Sequence, residues 1–446
     1  MAPYLQEERG LYRGTAALVL RPGSTAEVAK IVQICAAANI PIVPQGGNTG
    51  LCGGAVAREE ANEVILNLGR MNKVRGIDPV NFNITVEAGC ILSDIQDTAD
   101  AQACLFPLSL AAEGSCQIGG NLSTNAGGIN VLRYGNARDL VLGLEVVLPD
   151  GRIWNGLRAL GKDNTGYALR HLFVGAEGTL GIITAAVLKL FPRPTETCTA
   201  LCALSSLEGA TKLLNRARSL SGDAVTAFEL IPRIGLEMCV KHIAGASDPF
   251  AAPHEWYVLT EFSTSRPDVS VRGSFETLLE TAFEEGIIAD AVVAESGEQE
   301  KSLWRLRESL PEAQKHEGGS IKHDISVPVS RVPAFITEGM AAIAKHFPGA
   351  RPVPFGHLGD GNIHFNISQP IGADKDSYLA RWVEMNRVVH DIVVGMEGSF
   401  SAEHGIGLLK VDEMKHYKDP IELDLMLRLK HAFDPQNLMN PGKVVT

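Results

Sequence analysis

The stretch GHLGDGNIHFN, which begins at residue 356, contains two histidines seven residues apart, on either side of a turn rich in Gly, Asp and Asn. A symmetric hairpin centred on the Asp-Gly pair at its middle would place His357 directly opposite His364, with the two Cβ atoms about 5 Å apart on one face. Asn366, two residues beyond His364, would point to the same face. Two imidazoles in this arrangement can bind one divalent ion, so the spacing predicts a local His–His–Asn cluster.

A second motif can complete such a metal site. A catalytic metal needs a third protein ligand and open positions for substrate, and the motif AEHGIG supplies Glu403 and His404, followed by Gly405 and Gly407. Adjacent residues of an extended strand point to opposite faces, so the use of both side chains at one site requires a bend, which the glycines permit. Zn²⁺ is the favoured ion, and a His₂–carboxylate set with open positions also suits Fe²⁺, Mn²⁺ or Co²⁺.

Two arginines and a lysine offer positive charge to an acidic substrate. The segment SLWRLRESL contains Arg305 and Arg307, and a guanidinium can pair with a carboxylate through two parallel hydrogen bonds. For Arg305, a solvated position on a helix surface is the simpler interpretation. The alternation in SIKHDIS places Lys322, Asp324 and Ser326 on one face of a predicted strand. A second cation suits a dicarboxylate, and pairing of Lys322 with Asp324 or solvent is the alternative.

Three glycine clusters lie in the first half of the chain: PQGGNTGLCGG from residue 44, GSCQIGGNLSTNAGG from residue 114 and GAEGTLG from residue 175. Glycine lets successive backbone N–H groups converge without Cβ clashes, and the interleaved Asn, Ser, Thr and Gln side chains add donors. The dinucleotide motif G-x-G-x-x-G does not occur in the sequence. Three clusters of this density favour a large, diphosphate-bearing ligand held mostly by backbone over ordinary hairpin turns.

Composition indicates a multidomain globular protein. With 446 residues, of which 45% are hydrophobic and 21% charged, two or three domains are expected. The net charge of −12 argues against nonspecific binding to nucleic acid or anionic membrane, and no apolar run approaches the roughly 18 residues of a transmembrane segment. The eight cysteines form no C-x-x-C pair. Together with the lack of a basic and apolar leader, they predict reduced core thiols in a cytoplasmic protein.

Periodicity predicts the elements that position these residues. A helix is expected over Thr25–Ile40, capped by Thr25, and others over 207–220, 275–287 and the late segment LDLMLRLKHAF. Strands are expected for NITVEAG, for LVLGLEVVLPDGRIW with a hairpin turn at its Asp-Gly pair, and for GTLGIITAAVLKLF. The Pro-Arg-Pro at 192–194 marks a domain boundary. Beyond it, helices alternate with strands as in an α+β domain with an antiparallel sheet.

The order and content of the motifs resemble a known family, the FAD-linked D-2-hydroxyacid dehydrogenases, which are flavoproteins of the vanillyl-alcohol-oxidase type. The motifs that carry the resemblance are PQGGNTGL, GGNLSTNAGG, RYGNARDLVLGLEVVLPDGRI, GYALRHLFVGAEGTLGIIT, GHLGDGNIHFN, AEHGIG and FDPQNLMNPGK. They span nearly the whole chain, and the hydroxyglutarate branch is the most similar. The resemblance implies an α+β fold in which residues 1–192 bind FAD and residues 193–410 form a substrate-binding cap with an antiparallel sheet. Residues 411–446 then return to the FAD domain.

The resemblance also implies which residues hold the cofactor. The implied FAD-binding residues are Pro44, Gln45, Gly46, Gly47, Asn48, Thr49, Gly50, Gly119, Gly120, Ser123, Thr124, Asn125, Gly128, Glu177, Gly181, Ile182, Ile183 and Asn440. Some members of the wider superfamily attach FAD through a histidine, and no histidine lies within residues 1–170. Noncovalent FAD is therefore the default, and covalent attachment through Cys52 or Cys116 is the alternative.

The implied chemistry is oxidation of a D-2-hydroxyacid to the 2-oxoacid. The resemblance makes Glu403 the third metal ligand beside the two histidines and His404 the general base. The metal would lower the pKa of the substrate hydroxyl, and the C2 hydride would pass to flavin N5. Arg307 and Lys322, together with Asn366, form the expected substrate-binding set.

The expected substrate is D-2-hydroxyglutarate, because Lys322 matches a lysine typical of that branch. Where the branch has a threonine, this chain has Pro311, which offers neither a hydroxyl nor an N–H. D-lactate, D-malate and glycolate therefore stay open as substrates. The flavin would be reoxidised by a partner such as an electron-transferring flavoprotein, a quinone or a cytochrome, and the family often forms homodimers.

Two other classes of protein share parts of this pattern. A zinc hydrolase would use His357, His364 and Glu403 to hold a metal-bound water, which leaves the three glycine clusters unexplained. A noncatalytic nucleotide-binding module would use the glycine clusters, which leaves the histidines and Glu403 unexplained. A flavin spectrum separates all three classes.

Overall fold

The computed structural model describes residues 1–59 and 62–446, which form two compact units. The first unit contains Met1–Gly128, Tyr134–Arg193 and Glu403–Thr446, and the second contains Ile129–Arg133 and Pro194–Ala402. The chain thus re-enters the first unit at residue 403, where the sequence predicted a boundary at 410. Glu403 and His404 are therefore the first residues of the C-terminal segment that belongs to the first unit.

The strands divide between the units at Pro194. Those of the first unit are β1 (Leu18–Leu20), β2 (Ile42–Gln45), β3 (Val64–Asn67), β4 (Val74–Asp78), β5 (Asn83–Glu87), β6 (Cys104–Leu105), β7 (Val141–Val147), β8 (Ile153–Gly156), β9 (Ile182–Lys189) and β10 (Phe191–Pro192). Those of the second unit are β11 (Glu196–Leu204), β12 (Val225–Pro232), β13 (Trp256–Thr264), β14 (Ile288–Val293), β15 (Ser320–Ile321), β16 (Asp324–Ser326), β17 (Arg351–His357) and β18 (Asn362–Ser368).

The helices follow the same division with three exceptions: Val131–Tyr134 lies mostly in the second unit, whereas Val411–Tyr417 and Pro420–Phe433 belong to the first. In chain order they are α1 (Ala2–Leu5), α2 (Thr25–Ala37), α3 (Leu92–Asp100), α4 (Ile118–Ser123), α5 (Val131–Tyr134), α6 (Ala137–Leu140), α7 (Arg170–Phe173), α8 (Leu207–Ser221), α9 (Arg233–His242), α10 (Arg272–Glu284), α11 (Gly297–Glu308), α12 (Leu310–Lys315), α13 (Val332–His346), α14 (Lys375–Leu379), α15 (Trp382–Gly395), α16 (Val411–Tyr417) and α17 (Pro420–Phe433).

The first unit contains a small parallel sheet and a larger antiparallel one. The parallel sheet has the order β1-β3-β2, and the antiparallel sheet has the order β4-β5-β9-β7-β8. Helix α2 packs on the parallel sheet through Val28 and Val32, which are fully buried. Helix α3 packs on the antiparallel sheet through Leu92 and Ile95. Each such buried aliphatic side chain stabilises the fold by roughly 1.5–3 kcal/mol.

The second unit is built on one antiparallel sheet with helices on both faces. Its strand order is β14-β11-β13-β12-β17-β18-β15, and β16 also pairs with β18. Alternate residues of β11 show why both faces are covered: Ala200 and Cys202 join the core formed with α8, α10, α13 and α15, whereas Leu201 and Ala203 join the core formed with α9, α11 and α12. The predicted α+β class with an antiparallel sheet is confirmed.

Most of the predicted elements are present, with one correction at a helix cap. The helix expected over Thr25–Ile40 is α2, but its cap is Ser24 and not Thr25, because the Ser24 hydroxyl accepts the backbone N–H of Glu27 at 3.2 Å. The hairpin turn at Asp150–Gly151 joins β7 to β8, and the last predicted helix is α17. Across the described part of the chain, no helix has the length and apolarity to cross a bilayer.

All eight cysteines are buried, as expected of core thiols. Burial raises the pKa of Cys90 to about 11 and that of Cys202 to about 12. These thiols are therefore protonated at neutral pH and unreactive as nucleophiles.

Candidate active site

A cavity in the first unit is lined by residues of all three glycine clusters. Most of the expected FAD-binding residues line it: Pro44, Gln45, Gly46, Gly47, Asn48, Thr49, Gly50, Gly119, Gly120, Ser123, Thr124, Glu177, Gly181, Ile182 and Ile183. Three others are not among the lining residues, namely Asn125, Gly128 and Asn440. The clusters, which begin at residues 44, 114 and 175, thus converge on one space.

Glycine is needed on the cavity wall because the loops pack backbone against backbone. A Cβ atom at Gly47 would lie 2.2 Å from the carbonyl oxygen of Ser115, and one at Gly119 would lie 2.7 Å from the Cβ atom of Ala88. Any side chain at these positions would force the loops apart. The first two clusters therefore owe their contact to their glycines.

The cavity wall also has the features expected of a cofactor cradle. At Gly50 and Gly120 a Cβ atom would meet nothing within 4 Å, so these backbones face open space that a ligand can approach. Gln117 and Asn121 also line the cavity. Each has a buried side-chain oxygen without a hydrogen-bond partner among the described residues. Such oxygens accept hydrogen bonds from ribityl hydroxyls or ring N–H groups, so the residues present fit FAD.

Several lining residues were missed by sequence reasoning. Gln117 and Asn121 line the cavity from inside the quoted glycine clusters, as do Cys52 and Cys116, which the sequence had raised only as alternative points of covalent attachment. Their position in those clusters was the available signal. His404 also lines this cavity, although the sequence assigned it to catalysis and not to the cofactor.

Glu177 holds the loop that follows His404. Its carboxylate accepts the backbone N–H groups of Ile406 at 2.7 Å and Gly407 at 2.9 Å. Burial raises the pKa of Glu177, and these two hydrogen bonds oppose that shift. The side chain of Glu177 therefore serves the His404 loop, although the residue also lines the cavity.

The last residues of the chain are tied to the same region. The Asn440 side-chain amide donates to the carbonyl oxygens of Gly54 at 2.9 Å and Glu177 at 2.7 Å. Lys430 is buried and donates to the carbonyl oxygens of Thr179 and Met439, each at 2.8 Å. Asn440 thus holds the backbone of the cavity wall in place through these two hydrogen bonds.

In the second unit, the predicted register of the histidine hairpin is wrong by two residues. His364 on β18 lies opposite Phe355 on β17, and not opposite His357. Because β17 ends at His357 and the turn occupies the next four residues, the hairpin is not symmetric about its Asp-Gly pair. A shift of two residues keeps each side chain on its face. The two imidazole rings therefore still meet, with centroids 5.5 Å apart.

His357 lies opposite a carboxylate that sequence reasoning missed. It is in register with Glu229 on β12, and the Glu229 Oε1 atom is 2.8 Å from His357 Nδ1. The other oxygen, Oε2, lies 2.7 Å from both Nε and an Nη atom of Arg307 on α11. Glu229 is 1% exposed, and His357 and Arg307 hold its pKa at about 2 against the effect of burial.

The two candidate arginines occupy different environments. Arg307 is buried, with its guanidinium carbon 5.0 Å from the centre of the Phe355 ring. Arg305 is exposed on the same helix and donates to the carbonyl oxygen of Ala244. The interpretation of Arg305 as a surface residue is confirmed.

The strand predicted through SIKHDIS is interrupted. Strand β15 ends at Ile321 and β16 begins at Asp324, so Lys322 lies between two strands and does not share a strand face with Asp324 and Ser326. The single-strand prediction is therefore wrong. Asp324 is in register with His364, and its Oδ1 atom is 4.0 Å from His364 Nδ1. A second carboxylate thus lies close to the paired histidines.

Asn366 hydrogen-bonds a buried glutamine. Its side-chain amide donates to the Gln314 Oε1 atom at 2.8 Å, and Gln314 is 1% exposed. The Gln314 Nε2 atom has no hydrogen-bond partner among the described residues. Pro311 lies in the first turn of the same helix, α12, where a missing N–H costs no helical hydrogen bond.

Comparison with known proteins identifies the family. The FAD-linked oxidase C-terminal domain matches residues 193–444, and the FAD binding domain matches residues 16–156. A probable mitochondrial D-2-hydroxyglutarate dehydrogenase of Oryza sativa subsp. indica is 38% identical, over 98% of this chain and 76% of that protein. A D-2-hydroxyglutarate dehydrogenase of Xanthomonas citri pv. viticola is 39% identical, over 95% of this chain and 88% of that protein.

A solved structure supports the expected fold type. p-Cresol methylhydroxylase with bound substrate superposes with a TM-score of 0.76 at 18% identity, covering 99% of this chain and 91% of that one. At this identity the likeness concerns the fold alone. It confirms the expected flavoprotein fold of the vanillyl-alcohol-oxidase type.

The expected cytoplasmic location is wrong. The rice relative and a 38% identical relative from Bos taurus are both named as mitochondrial enzymes, which points to mitochondria and not to the cytoplasm. Reduced cysteines indicated a reducing compartment, and that property does not separate the mitochondrial interior from the cytoplasm.

The glycine-lined cavity, the two matching domains and relatives similar along almost the whole chain agree with one another. The chain belongs to the FAD-linked oxidase family of oxidoreductases, and its relatives include D-2-hydroxyglutarate dehydrogenases.

Proposed function

We propose that this protein oxidises D-2-hydroxyglutarate to 2-oxoglutarate with FAD and a divalent metal ion. The observation that carries the proposal lies in the second unit, where the His357 and His364 rings meet and Glu229 joins His357 to Arg307. These groups suit a metal and a carboxylate. The names of the curated relatives supply the substrate. FAD is bound without a covalent link, in the cavity of the first unit.

In this proposal, His357, His364 and Glu403 hold the metal, with Zn²⁺ as the favoured ion. The His364 ring is partly exposed, and the His357 ring is fixed by Glu229 through its Nδ1 atom. Two imidazoles and a carboxylate leave coordination positions open for a substrate. The metal, when bound, would favour ionisation of the substrate hydroxyl.

His404 acts as the general base that removes the hydroxyl proton. It lines the cavity that fits FAD, and imidazole takes up protons near neutral pH. Glu177 fixes the backbone two and three residues beyond it, which limits the positions that the ring can sample. FAD, when bound, would accept the hydride from C2.

Arg307, Lys322 and Asn366 bind the acid. A dicarboxylate needs more than one cation, and Arg307 and Lys322 supply two. Because Glu229 already balances the charge of Arg307, the lysine is the more important of the two for the second carboxylate. Pro311 removes a hydroxyl that the hydroxyglutarate branch uses, so D-lactate, D-malate and glycolate are the competing substrates.

Anaerobic reduction of the flavin tests the proposal. Protein loaded with FAD and Zn²⁺ is mixed with each acid, and bleaching of the visible flavin band is followed. D-2-hydroxyglutarate should bleach the flavin faster than D-lactate, D-malate or glycolate, and L-2-hydroxyglutarate is the control for stereochemistry. Faster bleaching by another acid would identify that acid as the substrate in place of D-2-hydroxyglutarate. A bleaching rate that is unchanged after the metal has been removed by a chelator would refute the metal requirement.

Two further properties are proposed from the family. An electron-transferring flavoprotein, a quinone or a cytochrome would serve as the electron acceptor of the protein, and the protein forms a homodimer. Reoxidation of the bleached protein by each acceptor class, and its mass by light scattering, test these points. Acid precipitation tests noncovalent FAD, because a covalent link through Cys52 or Cys116 would leave the colour in the pellet.

A further inference from the structure

Glu229 is a buried carboxylate that serves two residues of the proposed site at once. It projects from β12, the strand beside the histidine-bearing β17. One oxygen is committed to the His357 ring and the other to the Arg307 guanidinium, at distances of 2.7–2.8 Å. These contacts join residues that are 128 and 78 positions away in the chain.

The contact with His357 determines which ring nitrogen carries the proton. An ionised carboxylate has no proton to give, so the Nδ1 atom of His357 must donate. In the neutral ring the Nε2 atom then has a lone pair. A neutral imidazole with an exposed lone pair is the form that binds a metal, and a hydrogen bond at the other nitrogen also fixes the direction of the ring.

The contact with Arg307 fixes the plane of the guanidinium. Two of its nitrogens, Nε and one Nη, lie against the same Glu229 oxygen, and the Phe355 ring lies 5.0 Å away. A guanidinium is a rigid planar fork, so two such contacts define the orientation of its remaining donors. Arg307 is thereby held ready for a substrate carboxylate without reorganisation on binding.

Packing alone gives no reason for a charge at this position. The neighbouring residues Leu230 and Ile231 on β12 are fully buried and apolar, and Leu259 lies opposite Glu229 on β13. Buried ion pairs can often be replaced by apolar side chains of similar volume without loss of stability. A retained charge here is better explained by the two groups that it orients.

We infer that Glu229 is a positioning residue that sets both the metal-binding nitrogen of His357 and the plane of Arg307. This inference rests on the proposed function, because it concerns the same metal and the same substrate. Its consequence is that one carboxylate ties metal affinity to recognition of the acid. Loss of its charge should weaken both, even though Glu229 itself touches neither in this arrangement.

Zinc affinity without substrate is the first test. In Glu229→Gln the side chain keeps its shape but loses its charge, and Zn²⁺ affinity, measured by competition with a chromophoric chelator, should fall about 10- to 100-fold. The matched control is Glu261→Gln. Glu261 lies on the adjacent strand β13 and hydrogen-bonds the uncharged partners Thr226 and Trp304. Its substitution should leave Zn²⁺ affinity unchanged.

A second variant and a second measurement guard against misfolding. Glu229→Asp keeps the charge and should recover part of the lost affinity if charge is what matters. In metal-free protein, ¹⁵N shifts of the His357 ring should report the Nδ1–H tautomer, and Glu229→Gln should shift the ring toward a mixture. His357→Gln assigns the resonance.

The outcomes separate the two proposals. If the wild-type protein binds Zn²⁺ and folded Glu229→Gln binds it equally well with the same tautomer, the role of Glu229 is refuted and the metal site stands. If the wild-type protein binds no divalent ion, the metal site of the proposed function is refuted, and the inference fails with it. An unchanged KM for the acid in Glu229→Gln would refute the contribution through Arg307.

Discussion

The two units build their candidate sites from different materials. The cavity of the first unit is lined mainly by backbone and small polar side chains from three glycine clusters. The second unit instead brings together ionisable side chains, with Glu229 between Arg307 and His357. Backbone surrounds a large ligand without placing fixed charges on it, whereas side chains place charge at points. A cofactor that must stay bound and an acid that must react need these two kinds of site respectively.

The largest expected effect concerns His404. It is a titratable side chain on a cavity wall that otherwise consists mainly of backbone and small polar side chains. His404→Asn should lower the rate of flavin reduction by about 10²- to 10⁴-fold, because the proposed general base is lost. FAD binding should persist, because the glycine clusters are intact. Anaerobic stopped-flow bleaching measures the rate, and the absorbance ratio of flavin to protein measures occupancy. A rate within twofold of wild type would assign the base to another residue.

A larger side chain at Gly120 tests the role of backbone in the first unit. Gly120 lies in α4 with open space beside it, so Gly120→Leu should fold but project into the cavity. FAD affinity should fall by at least about tenfold, or about 1.4 kcal/mol. Gly273, in α10 of the second unit, is also helical with nothing within 4 Å. Gly273→Leu is the control and should change FAD affinity by less than about twofold. Equal affinities in equilibrium titrations would contradict the backbone model.

Lys443 sharpens the comparison because it is a buried charge in the first unit that lacks a hydrogen-bond partner among the described residues. It is 1% exposed, and burial lowers its pKa from 10.5 to about 8. Lys443→Met should therefore stabilise the protein at pH 7 by about 1–2 kcal/mol, measured by urea unfolding.

The sign of the pH effect follows from the same shift. Between pH 8 and 10.5 the unfolded chain holds a proton at Lys443 that the folded chain has lost. The free energy of unfolding of the wild-type protein should therefore rise with pH across this window. The rise should be absent in Lys443→Met. A parallel rise in both proteins would mean that other groups cause it.

The smallest expected effect concerns a surface charge cluster in the second unit. Glu317 accepts hydrogen bonds from Lys241, Arg351 and His242, which hold its pKa at about 2, below the usual 4.5. Its stabilising contribution is thus complete above pH 4.5 and is lost as the pH falls toward 2. Glu317→Gln should cost about 1 kcal/mol at pH 7 and almost nothing near pH 2.

Glu312 provides a matched control for this prediction. It is an exposed carboxylate that pairs with Lys315 three residues along the same helix. Glu312→Gln should change the free energy of unfolding by less than about 0.5 kcal/mol at either pH. A Glu317→Gln effect as small as that would show that the cluster contributes nothing beyond an ordinary surface pair.

Local sequence patterns predicted which kinds of residue form the two sites, but they did not predict all of the geometry. The glycine clusters pointed to a backbone-lined ligand site, and the His-x₆-His spacing placed both rings on one face. The hairpin register was missed because the turn takes four residues and begins directly after His357. Periodicity fixes the face of a side chain but not its partner, since a shift of two residues preserves the face.

Glu229 shows why long-range partners stay hidden in a single sequence. It meets His357 across 128 positions through pairing of β12 with β17, and no local spacing encodes which strands become neighbours. The available signal was a single carboxylate inside the apolar strand VTAFELIP, since a charge in such a strand needs a buried partner. Pairing it with Arg307 required the sheet order and the position of α11.

The parallel bridge between Ile42 and Met439 has a consequence for biosynthesis. The Ile42 N–H donates to the carbonyl oxygen of Leu438, and the Asn440 N–H donates back to that of Ile42, each at 2.8 Å. The segment around Met439 thus completes an edge made by a segment that is translated long before it. Residues 194–402 form a nearly continuous block that can fold while the ribosome is still at work. The flavin unit has to wait, half-assembled, until the nascent chain reaches residue 440.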